Sequence, residues 1–153
     1  MAETSSNSIH CMLVPLQQYY LLLPNSTIAE VLPMPRALSI NNEQSDHHLG
    51  HCEWRDQKIS VIDLEKLLGK KIEEENDAHK LCILNGINTD AGINFYALPC
   101  NGVPQLITLD QSALEIITDE SSSEYLQYQI KIGTKIALIP NLDKIEETIS
   151  QLN

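Results

Sequence analysis

The apolar residues of this chain come in short runs broken by turn chemistry, and this limits the folds open to it. Met12–Leu16, Tyr19–Leu23, Ile59–Ile62, Leu81–Leu84 and Lys135–Ile139 are each bounded by polar, Gly or Pro residues. Runs of this length cannot bury the face of a regular helix, which needs roughly 10–12 residues, and they suit small strands. None approaches the roughly 20 apolar residues that span a bilayer. The pattern predicts a mainly β fold without direct membrane insertion.

Several hairpins follow from the spacing. Met12–Leu16 and Tyr19–Leu23 flank Gln17 and Gln18. Pro15 removes a ladder donor, so the first strand is expected at an edge or to carry a bulge. Leu49–Trp54 and Ile59–Ile62 bracket the polar turn 55–58, and Leu126–Ile132 and Lys135–Ile139 surround Gly133. Asp63 can cap a short helix that places Leu64, Leu67 and Leu68 on one face and stops at Gly69. Leu142, Ile145, Ile149 and Leu152 at helical spacing predict an amphipathic C-terminal helix.

The two parts of the chain echo each other. Tyr20, Leu23 and Pro24, followed by Ile28 and Val31, keep the spacing of Phe95, Leu98 and Pro99, followed by Val103 and Leu106. Such a match predicts a duplicated small β unit, neither copy large enough for a core of its own. The expected organisation is a flexible polar tail over 1–9 and a single domain over 10–153. Its first half covers about 10–70 and its second about 78–153, joined by the charged stretch Lys70–His79.

Composition narrows the function. A formal net charge of −11 opposes nucleic-acid backbones and anionic membranes, which attract clustered Lys and Arg, so no nucleic-acid partner is expected. Cys11, Cys52, Cys82 and Cys100 form no Cys-x-x-Cys pair, and scattered thiols in apolar surroundings fit a reducing cytoplasm. His47, His48, His51 and Cys52 are the only clustered metal-capable side chains. His51 and Cys52 point to opposite sides of a strand, and no second ligand pair stands at finger-like spacing, so solvated loop histidines are the default and no metal or cofactor is expected. Motifs for a nucleophilic serine, a phosphate-binding loop or a His-Glu-x-x-His metal helix are missing, and Glu73-Glu74-Glu75 reads as a solvated run. The chain is read as a binding protein, not an enzyme.

Residues 50–69 are the most informative stretch. Gly50, the turn arginine Arg55, the strand Val61-Ile62-Asp63-Leu64 and the ending Leu68-Gly69 resemble the signature of CheW-like coupling domains. Upstream, Tyr20–Pro24 and Ile28-Ala29-Glu30-Val31 look like that family's strand, bend and Val-x-Glu-Val element. Within the family, the divergent ChpC-type adaptors of chemosensory pili systems look closest, through the Leu13-Val14-Pro15-Leu16 opening and the Leu23-Pro24-Asn25 bend. The resemblance implies two intertwined five-stranded β barrels, SH3-like halves with short helices and a C-terminal helix. It also implies a scaffold that couples the cytoplasmic tip of a methyl-accepting chemoreceptor to a CheA-type histidine kinase. Asp56 stands where the family has Gly after the turn arginine, Ser60 where it has Pro, and Pro99-Cys100 where it has Val-Asp. These departures leave open a sequestering or binding module that no longer couples to the kinase.

Six residues are expected to bind protein. Arg55 matches the turn arginine and can offer a bidentate guanidinium. Trp54 suits either an interface anchor or the core. Val61 and Ile62 fall on opposite faces of a strand, one for the core and one for a partner-facing patch. Val103 and Leu106 could line a groove between the halves, although core packing is the favoured reading. Glu30 matches the family's bend acid and is expected to pair with a base and hold the bend.

Overall fold

The computed structural model describes residues 8–34, 48–69, 80–110, 115–117 and 124–152. The chain runs β1 (Ser8–Pro15), β2 (Tyr20–Pro24), β3 (Ile28–Pro33), β4 (His48–Trp54), β5 (Gln57–Ile62), α1 (Leu64–Leu67), β6 (Lys80–Asn85), β7 (Phe95–Cys100), β8 (Gln105–Asp110), β9 (Glu115–Ile117), β10 (Leu126–Ile132), β11 (Lys135–Pro140) and α2 (Leu142–Leu152). The predicted hairpins and both helices are present. The linker Lys70–His79 and residues 1–7 of the predicted tail lie outside the described residues, while β1 already begins at Ser8, paired with Asp110.

The strands form two sheets, ordered β8-β1-β2-β11-β10-β9 and β3-β6-β7-β5-β4. Exchanging β1 with β6, β2 with β7, β3 with β8, β4 with β10 and β5 with β11 maps one order onto the other, so the sequence repeat is a structural duplication. Each sheet takes strands from both halves: β1 pairs with β8, β3 with β6, and the parallel contacts β2–β11 and β5–β7 cross between halves. This exchange explains why neither half needs a core of its own. The duplication departs from two plain five-stranded barrels in two ways. β9 adds a sixth strand to the first sheet, and among the described residues no strand pairing closes either sheet into a barrel.

Among the described residues, three apolar clusters hold the molecule together. One lies within the five-stranded sheet, around Trp54, Ile59, Val61, Leu81, Ile83 and Ala97. Another lies within the six-stranded sheet, around Leu13, Leu22, Leu109, Ile130 and Ala137. The largest lies between the sheets and under both helices, with Leu21, Leu23, Ile62, Leu68, Leu84, Tyr96, Leu98, Leu138 and Ile145. The middle strands therefore bury both faces, and runs such as Leu21-Leu22-Leu23 are apolar throughout instead of alternating. Pro15 is not on an edge strand: β1 is flanked by β2 and β8. It is tolerated as the last residue of β1, beyond the β8 register, which ends at Leu13, and its carbonyl still accepts the Asn101 N–H at 2.8 Å.

The first helix begins at its predicted cap, and the second at a cap of the same kind. Asp63 accepts the Lys66 N–H at 3.3 Å, and Asn141 accepts the Lys144 N–H at 3.2 Å. Gly69, at φ 81°, takes the left-handed conformation that ends α1.

Each helix also sends one buried carboxylate into a loop of its neighbour strands. Glu65, 3% exposed, accepts the backbone N–H groups of Gln17 and Gln18 at 2.8 Å and of Tyr19 at 3.1 Å. Glu146, fully buried, accepts those of Ile87 and Asn88 at 2.9 Å and the Tyr96 hydroxyl at 3.1 Å. The β1–β2 and β6–β7 loops are equivalent in the duplication, so the same device locks both. Burial and the adjacent Glu146 carboxylate raise the Tyr96 hydroxyl well above the ordinary phenol range, which keeps it a proton donor.

Candidate protein-binding site

The β4–β5 hairpin is a two-residue turn: Trp54 pairs with Gln57, and Arg55 and Asp56 form the tip. Both tip residues have positive φ, 49° and 63°, as a turn matched to strand twist requires. Asp therefore adopts the conformation for which glycine is the usual residue. Asp is among the few side chains that visit this region routinely, so the departure from the family's Arg-Gly turn leaves the hairpin geometry intact.

Arg55 is exposed but held. Its guanidinium lies over the Trp54 ring, 4.5 Å from the centroid, and donates to the Glu30 carboxylate at 3.3 Å. Glu30 sits at a register shift in β3, between Ile28 and Glu30, where a bulge re-aims the side chain. The contact joins β3 and β4, the two end strands of their sheet, so the base expected for Glu30 is Arg55 itself. The partners are 67% and 42% exposed, and such a pair stabilises by only about 0.2–1 kcal/mol. Its effect is mainly to fix where the guanidinium points.

Trp54 resolves to the core. It is 7% exposed and meets Phe95 edge-on at 4.7 Å, so it supports Arg55 from below and offers little surface as an anchor. Val61 and Ile62 do face opposite ways, but neither reaches solvent: Val61 enters the cluster under Trp54, and Ile62 enters the central cluster. The expected partner-facing patch fails because β5 lies between two cores. Val103 and Leu106 reverse the other way. They are 64% and 61% exposed, while their duplicates Ile28 and Val31 are half-buried against the central cluster. Leu106 lies on β8, opposite Met12 of β1 and outside the sheet that holds Arg55. The structure thus joins Arg55, Trp54 and Glu30 in one site and leaves Val103 and Leu106 exposed, Leu106 on a different sheet.

Among the described residues the histidine segment brings no three metal-capable side chains together. His47 lies outside the described residues. His48 is buried, its ring edge-on to His51 at 5.0 Å, and no group of three metal-capable side chains occurs among the described residues. All four cysteines are buried, and burial raises their thiols, that of Cys82 to about 12. Among the described residues no helix is long and apolar enough to cross a membrane.

Sequence reasoning missed Glu65 and Glu146. The only local signal is a carboxylate close after a cap residue, and nothing nearby in sequence identifies loops 46–48 and 58–59 residues away as their targets.

The fold and site have counterparts among known proteins. The crystal structure of the scaffolding protein TtCheW from Thermoanaerobacter tengcongensis is similar, with a TM-score of 0.64 and 19% identity, over 88% of this chain and 89% of that one. At that identity the likeness is one of fold. No curated protein matches the chain. The pattern of the CheW-like domain matches residues 10–149, which include most of β1, the other exchanged strands, α1, most of α2 and the Arg55 hairpin, and so the chain belongs to the CheW-like domain family.

Proposed function

We propose that this protein is a non-enzymatic adaptor of a chemosensory system, which holds a CheA-type histidine kinase and the cytoplasmic tip of a methyl-accepting chemoreceptor in one cytoplasmic assembly. The observation that carries this reading is a guanidinium held at a rigid hairpin tip, at the family's turn-arginine position, in a chain matched to the family from residue 10 to residue 149. Arg55 binds the kinase through a charge-assisted contact. The exposed Val103 and Leu106 bind the receptor, and Trp54, Val61 and Glu30 support these contacts from beneath or beside. The Leu13–Leu16 opening and the Leu23-Pro24-Asn25 bend favour the ChpC type, and hence a system that controls type IV pili and twitching motility.

The test is affinity capture from source-cell lysate with wild type and Arg55→Glu, the retained proteins being identified by mass spectrometry. Removing one partner of a buried interfacial charge pair costs about 2–5 kcal/mol, against about 8 kcal/mol for a micromolar complex, so the variant should lose the kinase. Its melting curve should stay normal, because a turn substitution seldom shifts stability by more than about 0.5 kcal/mol and the pair lost here adds at most about 1. A wild-type bait that retains a receptor but no histidine kinase would favour a sequestering module. Equal kinase retention by both proteins would exclude Arg55 from the interface.

A further inference from the structure

The duplicated sheets differ at one end, where one is latched and the other open. In the five-stranded sheet, Trp54 fills the space inside the hairpin tip, and Arg55 and Glu30 bridge from the tip to β3. The β10–β11 hairpin has the same two-residue form, with Ile132 paired to Lys135. Ile132 therefore takes the place of Trp54, and Gly133 that of Arg55. By the spacing that relates Val31 to Leu106, Gln105 takes the place of Glu30. Gly133, at φ 63°, has no side chain to send across, and Gln105 carries no charge.

With the latch missing, a groove of about 350 Å³ remains between β8 and the β10–β11 turn. Leu13, Ile107, Leu109 and Ile132 give it an apolar wall, and Thr134 and Lys135 form its rim. β8 is the terminal strand of its sheet, so a segment laid along it meets a sheet edge. Lys135 is the only charged side chain among the described lining residues, in a chain of net charge −11, and its ammonium lies 4.9 Å from the Tyr20 ring centroid. Screening over about 8 Å at physiological salt gives the charge that lines the groove more weight in selecting what enters than charges beyond that range.

We propose that this groove binds an extended segment of a partner protein. The segment inserts an aromatic side chain between Ile107 and Ile132 and sets a carboxylate against Lys135. It supplies from outside the tryptophan and glutamate that the other half carries in its own chain. The adaptor thus has a second docking surface, in a different sheet from Arg55 and open to a different partner.

The probe is the capped peptide acetyl-Thr-Trp-Thr-Glu-Thr-amide, whose Trp and Glu share one face of a strand, titrated into isotope-labelled protein and followed by amide chemical shifts. Shifts should be confined to β8 and the β10–β11 turn. A control peptide with Lys in place of Glu should bind at least about tenfold more weakly, the loss of one charge-assisted contact. The double variant Gln105→Glu with Gly133→Arg, which copies the latch, should abolish binding. Lys135→Gln, a milder change, should weaken it if the double variant folds poorly. Arg55→Glu should leave peptide affinity unchanged, which separates this test from that of the kinase contact. Absent shifts, shifts elsewhere on the surface, or equal binding of the Lys peptide would overturn the proposal. So would a concentration-dependent dimer that the double variant abolishes, which would make a second copy of the chain the occupant.

Discussion

Replacing Glu65 by alanine should cost more stability than any single surface change in this protein. The carboxylate is 3% exposed and accepts three backbone N–H groups at 2.8, 2.8 and 3.1 Å. Hydrogen bonds to a charged group contribute about 1.5–3 kcal/mol each, but these three share one acceptor group at a partly buried turn that water can enter once the side chain is gone. A net loss of about 3 kcal/mol is therefore expected, against a total of about 5–15 kcal/mol for a domain. For a chain of this length that corresponds to a fall in melting temperature of about 6–12 °C. Glu65→Gln keeps the shape and one acceptor oxygen but turns an NH2 group towards N–H donors, so it should lose a smaller, measurable amount. Lys66→Ala, on the exposed side of the same helix, should stay within about 0.5 kcal/mol of wild type. Urea unfolding followed by circular dichroism gives all three midpoints under one condition. Equal midpoints for Glu65→Ala and Lys66→Ala would refute the reasoning, because water would then replace the carboxylate at no net cost.

Other substitutions test other parts of the structure. Trp54→Ala should destabilise by about 3–5 kcal/mol, since it empties a buried cluster, and an unchanged urea midpoint would return Trp54 to the surface. Asp56→Gly should raise the unfolding free energy by about 1 kcal/mol, relieving a positive φ of 63°, and a fall in the urea midpoint would show that the aspartate side chain holds the turn. Cys82, raised by burial to about 12, should stay protonated and unlabelled by a thiol reagent at pH 8 in the folded protein, and react fully in urea; rapid labelling of the native state would contradict its burial.

The local features of this protein were legible in its sequence because they depend on neighbours. Short apolar runs gave strands, the two-residue tips gave hairpins, and Asp63 with Gly69 bounded a helix. Internal spacing revealed the duplication, and a motif over residues 50–69 pointed to the family and to Arg55. What each side chain faces was decided by chain crossing. Val61 and Ile62 are both buried because β5 lies between two cores, an arrangement created when the β1–β2 and β6–β7 hairpins exchange between halves. Val103 and Leu106, apolar and equivalent by spacing to Ile28 and Val31, are exposed because the central cluster packs against Ile28 and Val31 and not against them. Arg55 finds Glu30 across 25 residues, and Glu65 reaches a turn 46–48 residues back. A residue's own period fixes which way it points within its strand, but only the assembled sheets determine whether core, solvent or a distant charge lies there.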